Sequence, residues 1–176
     1  MKHLRVDITI FLFSYLIFLF FIRPAQINGG WFNLLDLSIS IVDNHSFVLQ
    51  RPDLYGYCEV SFYKGGFYCG HSHGSIIFLV PLYFISKPFI SLLPYLNKLM
   101  YLNLLSIIFI SIPCSSLCLV ILNRILSFYP INSGQRLKTI LFAGFGTYFF
   151  SFATGESRIP FSFLLIFLII YLTIVT

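Results

Sequence analysis

The stretch Ile159–Thr176, IPFSFLLIFLIIYLTIVT, runs for 18 residues without a charge, and no polar tail follows it. A helix that crosses a bilayer needs roughly 20 mainly apolar residues. Read as such a helix, this run ends the sequence within or at the edge of a span. The 176 residues are then expected to be the front part of a larger membrane protein. Composition points the same way: 58% of residues are apolar and 10% are charged. A soluble domain carries about 25% charged residues, so a soluble surface cannot be assembled from this set.

Three further uncharged runs extend the reading: Ile8–Ile22, Leu99–Leu122 and Thr139–Gly155. The first follows Lys2 and Arg5 and leads into Arg23-Pro24-Ala25-Gln26, which lacks a small-x-small cleavage site. It therefore reads as an uncleaved first span rather than a signal peptide. The fold class expected is an all-α membrane protein of about four spans, at 8–22, 99–122, 139–155 and 159–176. An external loop, 23–98, would carry an amphipathic helix and a short β-hairpin. The loop 123–138 holds Arg124, Arg136 and Lys138, which places it and the N-terminus inside by the positive-inside rule. Ser75–Ser86 spans about 18 Å as a helix, too short to cross, and Pro81, Pro88 and Pro94 punctuate the region. An interfacial or re-entrant helix pair is expected there. The net charge of +5 comes from scattered Lys and Arg, without the basic stripe that nucleic-acid binding requires.

Within the external loop, Asn33, Asp36, Ser40 and Asp43 recur at helical spacing, leaving Leu34, Leu35, Ile41 and Val42 for an apolar face. The alternation Leu37–Ile41 also fits a strand, though the stripe favours a helix over Asn33–Asp43. Aromatic and β-branched residues flank Gly65-Gly66, predicting a hairpin in which Lys64 faces Phe67, Tyr63 faces Tyr68 and Phe62 faces Cys69. That register carries Cys58 too far along to bond with Cys69.

Five of the six acids, Asp36, Asp43, Asp53, Glu59 and Glu156, fall on the predicted outer side. Asp36 and Asp43 share one helix face, where a carboxylate binds a metal or takes a proton. Glu156, beside Arg158, ends the third predicted span. Cys69, His71 and His73 alternate as soft zinc ligands do on an extended segment. No fourth ligand stands nearby, which favours an interfacial polar segment. Cys114 and Cys118, one turn apart in an apolar run, read as small packed hydrophobes. Gly144-Phe145-Gly146 reads as a site of close helix packing. Asn44-His45-Ser46 matches an N-glycosylation pattern.

Taken in order, these features resemble the N-terminal part of the membrane glycosyltransferases of the GT-C fold, the superfamily of protein mannosyltransferases and aminoarabinose transferases. The resemblance lies in Leu37–Phe47, in Gly65-Gly66-Phe67-Tyr68 followed by Ser72-His73-Gly74 and Pro81-Leu82-Tyr83, and in Gly146-Thr147-Tyr148 with Glu156 after it. Asp36 is the first acid after Arg23 and stands nearest to the family's early catalytic aspartate; His73 occupies the place of a family proline. The resemblance implies sugar transfer from a polyprenyl-phosphate carrier in the cytoplasmic membrane, with membrane lipids as surroundings. Asp36, Glu156 and Asp43 would be the catalytic acids, with Lys64, Arg158, His71 and His73 as substrate contacts. A divalent metal on the donor phosphate is compatible with it. It further implies that Asp36 and Glu156 approach each other, with Asp43 more peripheral. The competing reading is a non-enzymatic truncated or degenerate relative acting as a small membrane scaffold. A transporter, which would carry acids or helix breaks near the midplane, ranks last.

Overall fold

The computed structural model describes residues 2–23, 29–51, 60–70, 73–155 and 158–176. The chain divides into two compact units, Met1–Arg23 with Ile107–Thr176, and Pro24–Ser106. The first contains helices α1 (Lys2–Phe20), α5 (Ile112–Leu126), α6 (Ser133–Phe145), α7 (Tyr148–Gly155) and α8 (Arg158–Val175). The second contains α2 (Gly29–Asn44), strands β1 (Val60–Tyr63) and β2 (Gly66–Cys69), and helices α3 (Ile76–Ile90) and α4 (Tyr95–Ser106).

Among the described residues one helix, the continuous Tyr95–Leu126, is long and apolar enough to cross a membrane. The expected arrangement of about four spans is therefore corrected, and with it the multi-pass placement. Each of the other three runs departs for its own reason. Helix α1 starts at Lys2, so Arg5 and Asp7 lie inside it, and it stops at Phe20. The run Thr139–Gly155 is not one helix. At Gly146 a Cβ would sit 2.9 Å from the Phe142 carbonyl oxygen, an approach open only to glycine, and there α6 ends. Thr147 then starts α7, its hydroxyl accepting from the Phe149 N–H at 3.2 Å. The resulting helices hold 13 and 8 residues, about 20 Å and 12 Å. In α8 the apolar helix covers Ile159–Val175, 17 residues.

The long helix holds a π turn at Ile107–Ser111, ahead of Pro113. Proline lacks the N–H of a regular turn and its ring crowds the carbonyl four residues back, which a π turn relieves. Ser111 uses the irregularity, donating to the Ala153 carbonyl at 2.9 Å.

In the first unit α5 packs against both α1 and α8. Its core gathers around the buried Phe18, with the rings of Phe145, Phe150 and Phe149 at centroid distances of 5.4, 5.9 and 6.4 Å. Gly144 lets α6 close on α5: a Cβ there would meet Leu119 Cδ1 at 2.8 Å. Asp7 pins α1 to α5, accepting from Asn123 Nδ2 at 3.1 Å and Arg124 Nε at 2.6 Å, with Arg124 Nη2 in contact as well. Cys118 is buried and Cys114 half-buried, as small packed residues.

In the second unit α2 packs on α3 and α4 and touches β2. Every residue of α2 from Trp31 to Ser40 is buried, so the polar stripe is internal as far as Ser40, and Asp43 is half-buried. Helix α3 continues through Pro81 and Pro88, burying Leu79, Tyr83, Ser86 and Ile90. The hairpin forms one residue out of the predicted register: Tyr63 pairs with Gly66, Phe62 with Phe67, Ser61 with Tyr68 and Val60 with Cys69. The turn is Lys64-Gly65, with φ of 46° and 81°, the pair of positive angles of a two-residue hairpin loop. Gly66 serves elsewhere, since a Cβ on it would press on Val48 at 3.1 Å. Cys58 lies outside the described residues.

Candidate functional site

The polar groups of the second unit converge on α2. At its start Trp31 Nε1 donates to Asn103 Oδ1 on α4 at 2.7 Å. One turn on, Asp36 is 1% exposed, and both of its oxygens are engaged. Oδ1 accepts from the Tyr95 hydroxyl, and Oδ2 from the backbone N–H of Arg51 at 3.0 Å. Burial holds the Asp36 carboxyl above the ordinary aspartate range. Hydrogen bonds from Tyr95, Arg51 and Gln50, and the Arg51 charge, pull the other way without offsetting it. Ser40 donates to the Val48 carbonyl, and Leu49 N–H bonds to the Phe67 carbonyl at 2.8 Å. The segment after α2 is thereby strapped between that helix and β2.

Helix α2 ends at Asn44, and His45 turns left-handed with φ of 51°. The Asn44-His45-Ser46 pattern thus serves as a helix terminus, with Ser46 N–H returning to the Ser40 carbonyl at 3.4 Å.

Asp43, two turns beyond Asp36, has a different setting. Its Oδ2 accepts from the Tyr83 hydroxyl at 2.9 Å, and Lys87 Nζ lies 2.8 Å from Oδ1. The Asp43 and Lys87 side chains are 24% and 42% exposed, so this pair, unlike Asp36, reaches the surface, although Asp43 Oδ1 is itself buried against Lys87. Burial, followed by the neighbouring Asp43 carboxylate, pushes the Tyr83 phenol up beyond the ordinary tyrosine range. Tyr83 and Lys87 stand four apart on α3 and therefore share a face. Around them the helix shows apolar side chains outward, among them Phe84, Ile85 and Phe89.

Of the two α2 acids, Asp36 is enclosed and Asp43, the one expected to be more peripheral, reaches the surface. Glu156 and His71 lie outside the described residues, as do the side chains of His73 and Arg158, and with them the expected approach of Asp36 to Glu156. Lys64 sits at the hairpin tip, its ammonium 5.3 Å from the centroid of the Tyr63 ring. Tyr83, Lys87 and Tyr95 are the residues sequence reasoning did not select. The signal for two of them was present, a hydroxyl and the sole cation of an apolar helix at i, i+4 spacing. Among the described residues no group of three or more His, Cys, Asp or Glu side chains is placed to hold a metal ion. In the first unit, a cavity of about 360 Å³ is lined by Leu119, Leu122, Ala143, Phe149, Phe163 and Phe167, among others. It carries shape but little chemistry. The Thr147 hydroxyl on its wall already donates to the Ala143 carbonyl at 2.8 Å.

No protein-family model, no curated protein and no solved structure matches this chain. The resemblance to the GT-C glycosyltransferases rests on the quoted motifs alone.

Proposed function

We propose that the chain is a membrane-embedded module of a sugar transferase that takes its donor from a polyprenyl-phosphate carrier. Asp43, Tyr83 and Lys87 are the polar group that meets that donor. The observation supporting this most is the setting of the Asp43–Lys87 pair: a partly exposed ammonium on α3 lies 2.8 Å from the α2 carboxylate, and the neighbouring exposed side chains of α3 are apolar. A polyprenyl phosphate has the matching halves, an anionic head and a hydrocarbon tail. Lys87 binds the phosphate as a charge-assisted donor. Asp43, released from Lys87, accepts the proton of the acceptor hydroxyl as a general base. Asp36, enclosed by Tyr95 and the Arg51 backbone, acts as a positioning residue that fixes α2 and the strap behind it.

The module lies in the cytoplasmic membrane with Tyr95–Leu126 crossing it and the N-terminus inside. Two features support that orientation. Asp7 and Arg124 pair, which puts the start of α1 and the end of α5 at one end of their unit. Arg124, Arg136 and Lys138 cluster there in sequence, as cytoplasmic loops do.

The test is lipid binding by the purified chain in nanodiscs. Labelled polyprenyl phosphate should be retained, unphosphorylated polyprenol should not compete, and Lys87→Gln should weaken retention about tenfold or more, as loss of one charge-assisted contact does. Equal binding of phosphate and alcohol, or a silent Lys87→Gln, would remove the reading. A non-enzymatic membrane scaffold would then lead. One observation already favours it: the first acid of the external segment, Asp36, has both oxygens committed inside the protein.

A further inference from the structure

The hairpin tip carries aromatic rings where a wetted turn would carry polar groups. Phe62 is 66% exposed and Tyr63 is 59% exposed. They are adjacent in β1 and so point to opposite faces of the two-stranded sheet. The Phe67 ring lies tilted beside that of Phe62 at 5.0 Å, and Tyr68 lies 6.5 Å from Tyr63, giving each face a pair of rings. Phe47, just before the Val48 that abuts Gly66, adds a third large exposed side chain at 64%. Lys64 occupies the turn itself, and its ammonium folds back over the Tyr63 ring.

From this geometry we infer that the hairpin tip is an interfacial anchor, inserted into the headgroup layer of an anionic bilayer. A protein partner docking on a sheet covers one face of it. Here both faces present rings, so the medium that buries them must surround the tip. The headgroup layer does so, and it is where aromatic side chains and long cationic side chains collect in membrane proteins. Charge supplies the second half of the argument. Lys64 at the turn matches anionic lipid phosphates, a basic side chain near such a surface adding to the attraction. The inference is independent of sugar transfer and of which helix crosses the membrane.

The test places a tryptophan at the tip of the full chain in phosphatidylcholine vesicles with and without phosphatidylglycerol. Phe62→Trp and Phe47→Trp are read separately, against the wild-type background of the buried Trp31. Lipids brominated near the headgroup end of the acyl chain should remove about half of the added emission, and lipids brominated at the chain terminus about twofold less. Phosphatidylglycerol should increase the shallow quenching, and Lys64→Glu should cancel that increase. Added emission quenched by aqueous iodide but not by brominated lipid would put the tip in water and overturn the inference. Emission shielded from both phases would assign the tip to a protein contact and overturn it equally. If Phe62→Trp does not fold, Phe47→Trp alone decides between these outcomes.

Discussion

The two units solve the same problem, filling an interior, with opposite materials. Met1–Arg23 with Ile107–Thr176 packs phenylalanine rings around Phe18 and admits one charged cluster, Asp7 with Asn123 and Arg124. Pro24–Ser106 threads hydrogen bonds through its core, with Trp31 on Asn103, Asp36 on Tyr95 and the strap, and Asp43 on Tyr83. Ring packing is non-directional and tolerates an apolar exterior, as the exposed Leu16 and Phe20 of α1 and Ile166 and Ile169 of α8 show. A hydrogen-bonded interior fixes each partner in place, because a buried polar group that loses its partner is costly. Chemistry belongs with the second kind of interior, and the candidate site is found there.

The largest effect should come from the ring-packed unit. Phe18→Ala removes the side chain at its centre and should cost about 3–5 kcal/mol, read by denaturant unfolding in detergent. A loss below about 1 kcal/mol would show that the rings are not what holds these helices.

Next comes the charged cluster. Arg124→Ala leaves the buried Asp7 with Asn123 as its remaining partner and its cation gone, and should cost about 2–4 kcal/mol. The double variant Asp7→Leu with Arg124→Leu should recover at least half of that loss, since a well-packed apolar pair substitutes for a buried ion pair. No recovery would mean that the pair does more than join α1 to α5.

The smallest effect appears only as a slope with pH. Asp36 is held above its ordinary value of 3.8 by burial, so the folded state binds its proton more tightly than the unfolded chain. That contribution is full below the ordinary value. It declines as pH rises through the raised folded value and is constant above it. Stability should therefore fall between about pH 4 and the folded pKa, and Asp36→Asn should flatten the fall. An unchanged slope in the variant would move the titration to another group.

These features were unevenly legible in the sequence. The helical stripe of Asn33, Asp36, Ser40 and Asp43 identified α2 correctly, but spacing alone does not say whether a polar face meets water or protein, and here it meets Tyr95, Val48 and Tyr83. Hydropathy found the apolar runs and overstated their continuity. The break at Gly146 depends on a contact with the Phe142 carbonyl that no window average registers. The prolines of the loop overstated the breaks, since α3 continues through Pro81 and Pro88. The hairpin was visible in its aromatic strands, yet Gly-Gly suggested the wrong turn. Gly66 is required by Val48, and Lys64 takes the positive φ instead. The pairing of Asp43 with Lys87 spans 44 positions and needed the fold to appear.

Membrane embedding underlies both the proposed donor and the proposed anchor, and labelling from the hydrocarbon phase tests it most directly. A lipid-borne photoactivated carbene, released in vesicles holding the full chain, should modify Met100, Phe109 and Leu117 of the Tyr95–Leu126 helix, all exposed, and spare the buried Leu102 and Ile112. Those three outward residues escaping the carbene and instead reacting with hydroxyl radicals from the water phase would contradict it.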